Sequence, residues 1–157
     1  MRNMTAPIQT PITGKEIAED SSPFAALVRF YRAFNGRDIM AMARNWDQSS
    51  SVSMDNPLGG IKRGWEEIQD VYGRIFSGPA RVYVKFHDYT IHEFSDIFFA
   101  VGGERGEFEK DGKKIKLAIR TSRIFRKYPE GWKQVHHHGS IDDPGLLERY
   151  QKAIAGK

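Results

Sequence analysis

Apolar residues recur at helical spacing in three stretches of the first half of the chain. Ser22 followed by Pro23 predicts a helix start, because a Ser cap accepts free amide hydrogens and Pro fits the first turn, and Gly36 predicts its end. Asp38 predicts the cap of a shorter second helix, and Gly64 opens a third. The apolar stripes comprise Phe24, Leu27, Val28, Tyr31, then Ile39, Met42, Trp46, then Trp65, Ile68, Tyr72, Ile75, Phe76.

From Arg81 onward the apolar period changes to two, which is typical of β-strands. Asp111-Gly112 predicts a two-residue hairpin turn, and a further turn at 128–131 leads into a last strand over 132–141. Asp143 then predicts the cap of a C-terminal helix. One strand face after the hairpin carries Ile115, Leu117, Ile119, Thr121, Arg123 and Phe125.

This order of elements predicts an α+β fold in which the N-terminal helices pack on one face of a strongly curved antiparallel or mixed sheet, with a C-terminal helix added. Phe98 and Ile124 are expected to point away from the helices and to leave an apolar sheet face exposed. Such faces commonly pair across a two-fold axis, so the pattern predicts a homodimer.

Length and composition indicate one domain. The chain has 157 residues and a hydrophobic fraction of 39%. We expect a flexible N-terminal tail over 1–21, which does not resemble a secretory signal, and a single domain over 22–157. No apolar run is long enough to cross a bilayer, so no membrane partner is expected. The absence of cysteine is compatible with a cytoplasmic location, which we take as the default expectation.

The charge pattern does not favour a nucleic-acid partner. The formal net charge of +4 is spread along the chain, and the tightest cluster is Lys113, Lys114 and Lys116. A basic strand of this kind is most often a solvated face, so we expect no nucleic acid among the partners.

Four strings of the sequence resemble the nuclear transport factor 2-like superfamily, in particular its SnoaL-like branch. They are YRAFNGRD at 31–38, NPLG at 56–59, RGWEEI at 63–68 and GWKQVHHHGS at 131–140. The resemblance runs from about residue 23 to residue 141. The closing string is also similar to the association domain of calcium/calmodulin-dependent protein kinase. The resemblance implies a cone-shaped fold with a pocket between the sheet and the N-terminal helices, but the superfamily contains both enzymes and binding domains.

The resemblance does not extend to the catalytic residues of ketosteroid isomerase. The position of its base corresponds to Asn56, which takes up no proton at ordinary pH. Its helical Tyr corresponds to Phe30, and its second Asp to Arg123. Steroid-type enolisation is therefore not expected, unless a local shift brings Asp55 to the base position.

Arg123 suggests an anion pocket, because the kinase association domain carries an Arg at the matching place. Arg105 is expected on a neighbouring strand, two residues beyond the position of a further pocket Arg in that family. Arginine binds carboxylates through two parallel hydrogen bonds, which are strong when desolvated. The alternative is that Arg123 pairs inside the protein with Asp55 or Glu107.

The three consecutive histidines are not expected to bind a metal, because strand alternation sends His137 to one face and both neighbours, His136 and His138, to the other. His137 is the candidate for proton transfer in the pocket, with Asp55 or Asn56 as its partner. The alternative interpretation is a structural core histidine.

Tyr31, Trp46 and Trp65 are the candidate apolar ligand contacts, although such residues belong to a core more often than to a binding site. The leading hypothesis is a homodimeric protein that binds a small hydrophobic carboxylate or carbonyl compound and needs no cofactor. One alternative is a cofactor-independent lyase, isomerase or hydrolase, and the other is a pure oligomerisation module.

Overall fold

The helices begin where the sequence supplies caps. In the computed structural model, which describes residues 6–156, the Ser22 side chain accepts the amide hydrogen of Ala25 at 3.1 Å. The Asp38 side chain accepts that of Ala41 at 3.0 Å. Asp143 caps the last helix in the same way. These bonds satisfy amide groups that the first turn of a helix leaves free, so the local sequence fixes the start of each helix.

Within residues 6–156, four helices pack on a six-stranded mixed sheet, which confirms the predicted α+β fold with its C-terminal helix. The elements are α1 Pro23–Asn35, α2 Ile39–Asn45, β1 Ser53–Asp55, β2 Ile61–Arg63, α3 Trp65–Ser77, β3 Arg81–Glu93, β4 Ile97–Lys110, β5 Lys113–Tyr128, β6 Gly131–Ser140 and α4 Pro144–Ala155. The sheet order is β2-β1-β6-β5-β4-β3, and β1 runs parallel to β6. Strand β2 was not predicted from the sequence; it lies directly before Gly64, where the predicted third helix opens.

The long strands are held in register by a tight turn and bent by local irregularities. Asp111 and Gly112 both adopt positive φ, at 52° and 78°, as a two-residue hairpin turn requires. The β3–β4 pairing shifts between His87 and Thr90, and the β5–β6 pairing shifts beside Ile124. Such irregularities bend a strand and increase its twist, which contributes to the curvature of the sheet.

The two faces of the sheet differ in burial. The inner face, turned toward the helices, carries the predicted set on β5 from Leu117 to Phe125. Phe98 also lies on the inner face and is fully buried, which corrects the expectation that it points outward. Its neighbour Phe99 occupies the outer face instead, beside Ile124. The outer face is defined here by Phe99, Val101, Ile124 and His136.

The N-terminal segment packs along the free edge of β3, although the sequence pattern predicts a flexible tail over 1–21. Ile8 and Tyr89 exchange two backbone hydrogen bonds, and Ile12 and Phe86 exchange two more. The Ile12 side chain is fully buried. The Asn35 side chain joins this segment to the domain by donating to the carbonyl of Thr13. Residues 8–13 therefore protect a sheet edge that would otherwise be open to pairing. Residues 1–5 of the predicted tail lie outside the described residues.

No helix within residues 6–156 is long and apolar enough to cross a membrane.

Candidate functional site

A cavity of about 260 Å³ lies between the inner face of the sheet and helices α1, α3 and α4. Its wall is mostly apolar and includes Phe30 of α1, Val71 and Ile75 of α3, and Phe108 and Ile119 of the sheet. Ligand sites are typically concave and apolar with a few polar groups, and this volume lies just below the usual range for drug-sized molecules. The cavity is therefore suited to a small ligand.

Arg123 lies at the inner end of the cavity in a network of protein partners. Its guanidinium donates to Glu104 Oε2 at 2.7 Å and to Gln134 Oε1 at 2.8 Å. Tyr31 Oη donates to the same Glu104 oxygen at 2.8 Å. The guanidinium also lies 3.6 Å from the centre of the Phe30 ring. Arg123 therefore pairs internally, as one sequence interpretation allows, but its acidic partner is Glu104 and neither Asp55 nor Glu107.

A second layer of side chains orients this network. Gln134 donates through Nε2 to Asn45 Oδ1 at 3.1 Å, and Asn45 donates to the carbonyl of Ala26 in α1. Gln134 is fully buried, and the chain of bonds leaves little freedom for the guanidinium. Buried polar networks of this kind are stable when every member is satisfied.

The ion pair cancels the net charge at the inner end. Burial acts to lower the pKa of Arg123, but the adjacent Tyr31 and Glu104 outweigh it, so its pKa lies above the usual range. Burial, reinforced by the charge of Glu104, raises the pKa of Tyr31 well above its ordinary value. The Tyr31 hydroxyl thus keeps its proton while Arg123 and Glu104 carry opposite charges.

Tyr72 adds a hydroxyl to a ring that lines the cavity. Burial raises the pKa of Tyr72 to about 12, and Arg123 lies close enough to oppose this rise. By distance and angle the hydroxyl makes no hydrogen bond within residues 6–156, although Arg123 and Trp46 lie near enough for hydrogen bonds that would lower its pKa. Nearby Trp46 Nε1 is fully enclosed and also lacks a hydrogen-bond partner. The Tyr72 hydroxyl therefore remains protonated and is available to a ligand.

His137 also lines the inner end, and only 5% of it is exposed. Burial, with the charge of Arg123 as the next cause, lowers the pKa of His137 well below its ordinary value, so the ring is neutral. Its Nδ1 lies 3.3 Å from the carbonyl oxygen of Ser122. Because that oxygen can only accept, Nδ1 carries the hydrogen and Nε2 is left as an acceptor.

The Nε2 atom of His137 opens into the cavity. It has no hydrogen-bond partner within residues 6–156. In that range Trp46 Nε1 is the only side-chain polar atom that is both fully enclosed and unpartnered, so His137 Nε2 must be in contact with open space. Gly139 leaves space beside Nε2, because any larger residue at position 139 would place its Cβ 3.3 Å from Nε2 and 3.1 Å from Pro57 Cδ. Asn56 lines the cavity nearby, with its side-chain oxygen held by the amide of Leu58.

Several predicted site residues lie elsewhere. Asp55 does not face His137, because β1 and β6 place it opposite His138, whose Nδ1 lies 2.7 Å from Asp55 Oδ2. Arg105 lies exposed on the other side of the sheet, since Glu104 takes the inner position of β4. Among the three aromatic candidates, Tyr31 donates a hydrogen bond to Glu104 of the ion pair but does not line the cavity.

The two tryptophan candidates are core residues. Trp46 and Trp65 pack on each other with ring centres 6.3 Å apart, and neither lines the cavity. Trp46 instead borders a separate polar surface groove near Lys133. Of the predicted residues, the structure brings Arg123, His137 and Asn56 together in the cavity.

Sequence reasoning missed Glu104 and Tyr72 as site residues. The sequence pattern places Tyr72 in the apolar stripe of α3 together with Ile75 and Phe76. In the structure Tyr72 is buried more deeply than these two residues. Glu104 shares the inner face of β4 with Phe98, Ala100 and Phe108 in the structure, but the sequence gives no signal for which face of this strand is buried.

Comparison with known proteins agrees with this architecture. A family model for the SnoaL-like domain matches residues 24–144. The chain belongs to this SnoaL-like family. A search of curated protein sequences with this chain gives no significant match.

Solved structures share the fold of this SnoaL-like domain. A nuclear transport factor 2-like family protein from Streptomyces avermitilis has a TM-score of 0.67 and 20% identity, over 75% of this chain and 93% of that one. A nuclear transport factor 2-like superfamily protein from Salmonella enterica has a TM-score of 0.67 and 22% identity, over 76% of this chain and 90% of that one. The association domain of the C. elegans calcium/calmodulin-dependent kinase has a TM-score of 0.57 and 22% identity, over 70% and 85%.

Within residues 6–156, no group of three or more His, Cys, Asp or Glu side chains is placed to hold a metal ion. The predicted alternation of the three histidines is seen in their partners. His136 contacts Ser53 at 2.7 Å and His138 contacts Asp55, whereas His137 faces the cavity.

Proposed function

We propose that this SnoaL-like domain binds a small, mostly apolar molecule that carries a carbonyl or hydroxyl group. The supporting observation is the buried, neutral His137, which lines one apolar cavity together with Tyr72 and the Arg123–Glu104 pair and has an unpartnered Nε2. Polar groups of this kind orient a ligand whose body is held by apolar contacts. The carboxylate considered from the sequence is less well matched, because Glu104 already neutralises Arg123.

Filling the cavity is expected to abolish binding. Ile119→Trp places a large side chain in the cavity, so 2-naphthol, an apolar probe with one hydroxyl, should bind the wild type and lose affinity for the variant at least about tenfold. Isothermal titration calorimetry measures both affinities. Ile61→Trp adds the same side chain at a half-exposed site outside the cavity and should bind 2-naphthol like the wild type. Equal binding by both variants would place the site elsewhere.

The second candidate function is cofactor-independent catalysis by a lyase, isomerase or hydrolase. The observation that favours it is the same Nε2 of His137, a neutral base inside a cavity that also offers donors for a developing oxyanion. The Streptomyces avermitilis relative bears a provisional dehydratase name. No carboxylate orients His137, since its Nδ1 faces a backbone carbonyl, and this favours binding as the first proposal.

Proton transfer from a bound ketone tests the catalytic proposal. Wild-type protein should exchange the α-hydrogens of 2-tetralone with deuterated water faster than buffer does, and His137→Gln should remove at least about 100-fold of that acceleration. Proton NMR follows the exchange. A rate that is equal in the wild type and the variant would assign His137 to binding alone.

We also propose a homodimer formed through the outer face of the sheet. Val101 is 41% exposed there, Phe94 is 61% exposed and stacks on Phe99, and cross-strand partner Ile124 continues the apolar surface. Relatives with the same fold include association domains, which is compatible with a homo-oligomer. Pure oligomerisation without a ligand remains the alternative. The cytoplasmic location and the absence of a nucleic-acid partner stay predictions of the sequence.

The oligomeric state can be measured directly. Sedimentation equilibrium of the wild type should give twice the chain mass of 18.0 kDa, and Val101→Glu should give the monomer, because a buried unpaired carboxylate opposes association. Ile17→Glu introduces the same charge at a site that is 91% exposed in the N-terminal segment and should leave the dimer intact. A mass above the dimer would favour the oligomerisation module, and a wild-type monomer would contradict the dimer.

A further inference from the structure

The two ends of the cavity differ in charge. At the inner end Arg123 and Glu104 form an ion pair at 2.7 Å, so the pair has no net charge. At the mouth, Arg74 from the last turn of α3 and Lys110 from the end of β4 line the opening. Neither of these two cations has an ion-pair partner within residues 6–156. The positive charge that is free to meet a ligand therefore lies at the mouth.

A carboxylate is poorly suited to the inner end. It would have to approach Arg123 beside the Glu104 carboxylate, and repulsion between two buried like charges is strong. One face of the guanidinium is already covered by the Phe30 ring at 3.6 Å. The arrangement therefore disfavours an anion at the position where the sequence alone suggested one.

The inner end is instead matched to an uncharged oxygen. His137 Nε2 accepts a hydrogen bond, which a hydroxyl group can donate. Arg123 Nε donates to Tyr31 Oη at 3.4 Å, but Nη1 and Nη2 each keep one hydrogen that Gln134 and Glu104 do not use. These hydrogens and the Tyr72 hydroxyl can donate to the same oxygen. A hydroxyl satisfies both kinds of group, and a carbonyl satisfies the donors.

We infer that the ligand is amphipathic, with its hydroxyl or carbonyl end at His137 and a carboxylate at the mouth between Arg74 and Lys110. This inference rests on the proposed binding function and adds the chemical class and the orientation of the ligand. The apolar middle of the molecule lies against Phe108 and Ile119. Arg74 is exposed and Lys110 is partly buried at the surface, so their contribution is modest and falls as salt is added.

Three naphthalene probes separate the two ends. They are 2-naphthol with the hydroxyl alone, 2-naphthoate with the carboxylate alone, and 6-hydroxy-2-naphthoate with one group at each end. Calorimetry at low salt should show 6-hydroxy-2-naphthoate binding about threefold to tenfold more tightly than 2-naphthol, as two ion pairs at the surface allow. The probe 2-naphthoate should bind most weakly, and added salt should reduce the advantage of the carboxylate.

The double variant Arg74→Gln/Lys110→Gln should bring the affinity for 6-hydroxy-2-naphthoate down to that for 2-naphthol and leave 2-naphthol binding unchanged. The control Arg81→Gln/Lys113→Gln removes the same charge from exposed residues that do not line the cavity and should keep the advantage. Equal wild-type affinity for 2-naphthol and 6-hydroxy-2-naphthoate would overturn the role of the mouth. Binding of 2-naphthoate as tight as that of 6-hydroxy-2-naphthoate would overturn the orientation. If no probe binds the folded protein, the proposed function itself fails, and this inference fails with it.

Discussion

Replacing Glu104 with glutamine is expected to lower the free energy of unfolding by about 3 kcal/mol, because it leaves the Arg123 charge buried without a counter-ion. Both side chains are almost completely buried, and Arg123 is 2% exposed. Glutamine keeps the size of the side chain, so the loss reports mainly on charge. In a domain of this length it corresponds to a fall in melting temperature of roughly 6–12 °C, measurable by calorimetry.

The control for this change is Glu107→Gln on the same strand. Glu107 lies 3.9 Å from Lys114 with both side chains exposed, and such pairs contribute about 0–1 kcal/mol. The Glu104→Gln variant should also gain binding of 2-naphthoate, because it turns the inner end into a cationic site. Equal destabilisation by the two substitutions, with no gain of 2-naphthoate binding, would contradict the assigned ion pair.

The sequence carries the fold through local signals that the structure reproduces. Ser22, Asp38 and Asp143 cap helices as their positions predict. The Asp111-Gly112 turn fixes the β4–β5 hairpin. These features depend on a few neighbouring residues, so one sequence is enough to read them. The packing of residues 8–13 against β3 depends on a strand that is distant in the sequence, so no local pattern predicts it.

The site was predictable on β5 and at His137 of β6, but not on β4. Alternation is unbroken from Leu117 to Phe125, so it places Arg123 inside. On β4 the doublets Phe98-Phe99 and Gly102-Gly103 each pair two similar residues, and they give no signal for which one is buried. The choice is made by cross-strand partners, and a shift of one position moves every side chain to the other face. Arg105 was thus assigned to the cavity in place of Glu104.

The doublet Phe98-Phe99 also gives a second large stability effect. Phe98 is fully buried, with its ring stacked on Phe125 at 4.6 Å and in edge contact with Trp132 at 5.0 Å. Phe98→Ala is expected to lower the free energy of unfolding by about 3–5 kcal/mol, since it removes a large core ring and leaves a cavity. Denaturant unfolding followed by circular dichroism measures the change.

The adjacent Phe99→Ala is the matched control, because it removes the same ring from the outer face. There Phe99 stacks on His92 with ring centres 4.5 Å apart, a cross-strand contact expected to contribute at most about 1 kcal/mol. If Phe98→Ala does not fold, Phe98→Leu keeps the comparison, because it retains part of the apolar volume and should still cost more than Phe99→Ala. A larger loss from Phe99→Ala than from either Phe98 variant would mean that the β4 register is reversed. Glu104 would then face solvent, and the charge balance inside the cavity would have to be assigned again from Arg105.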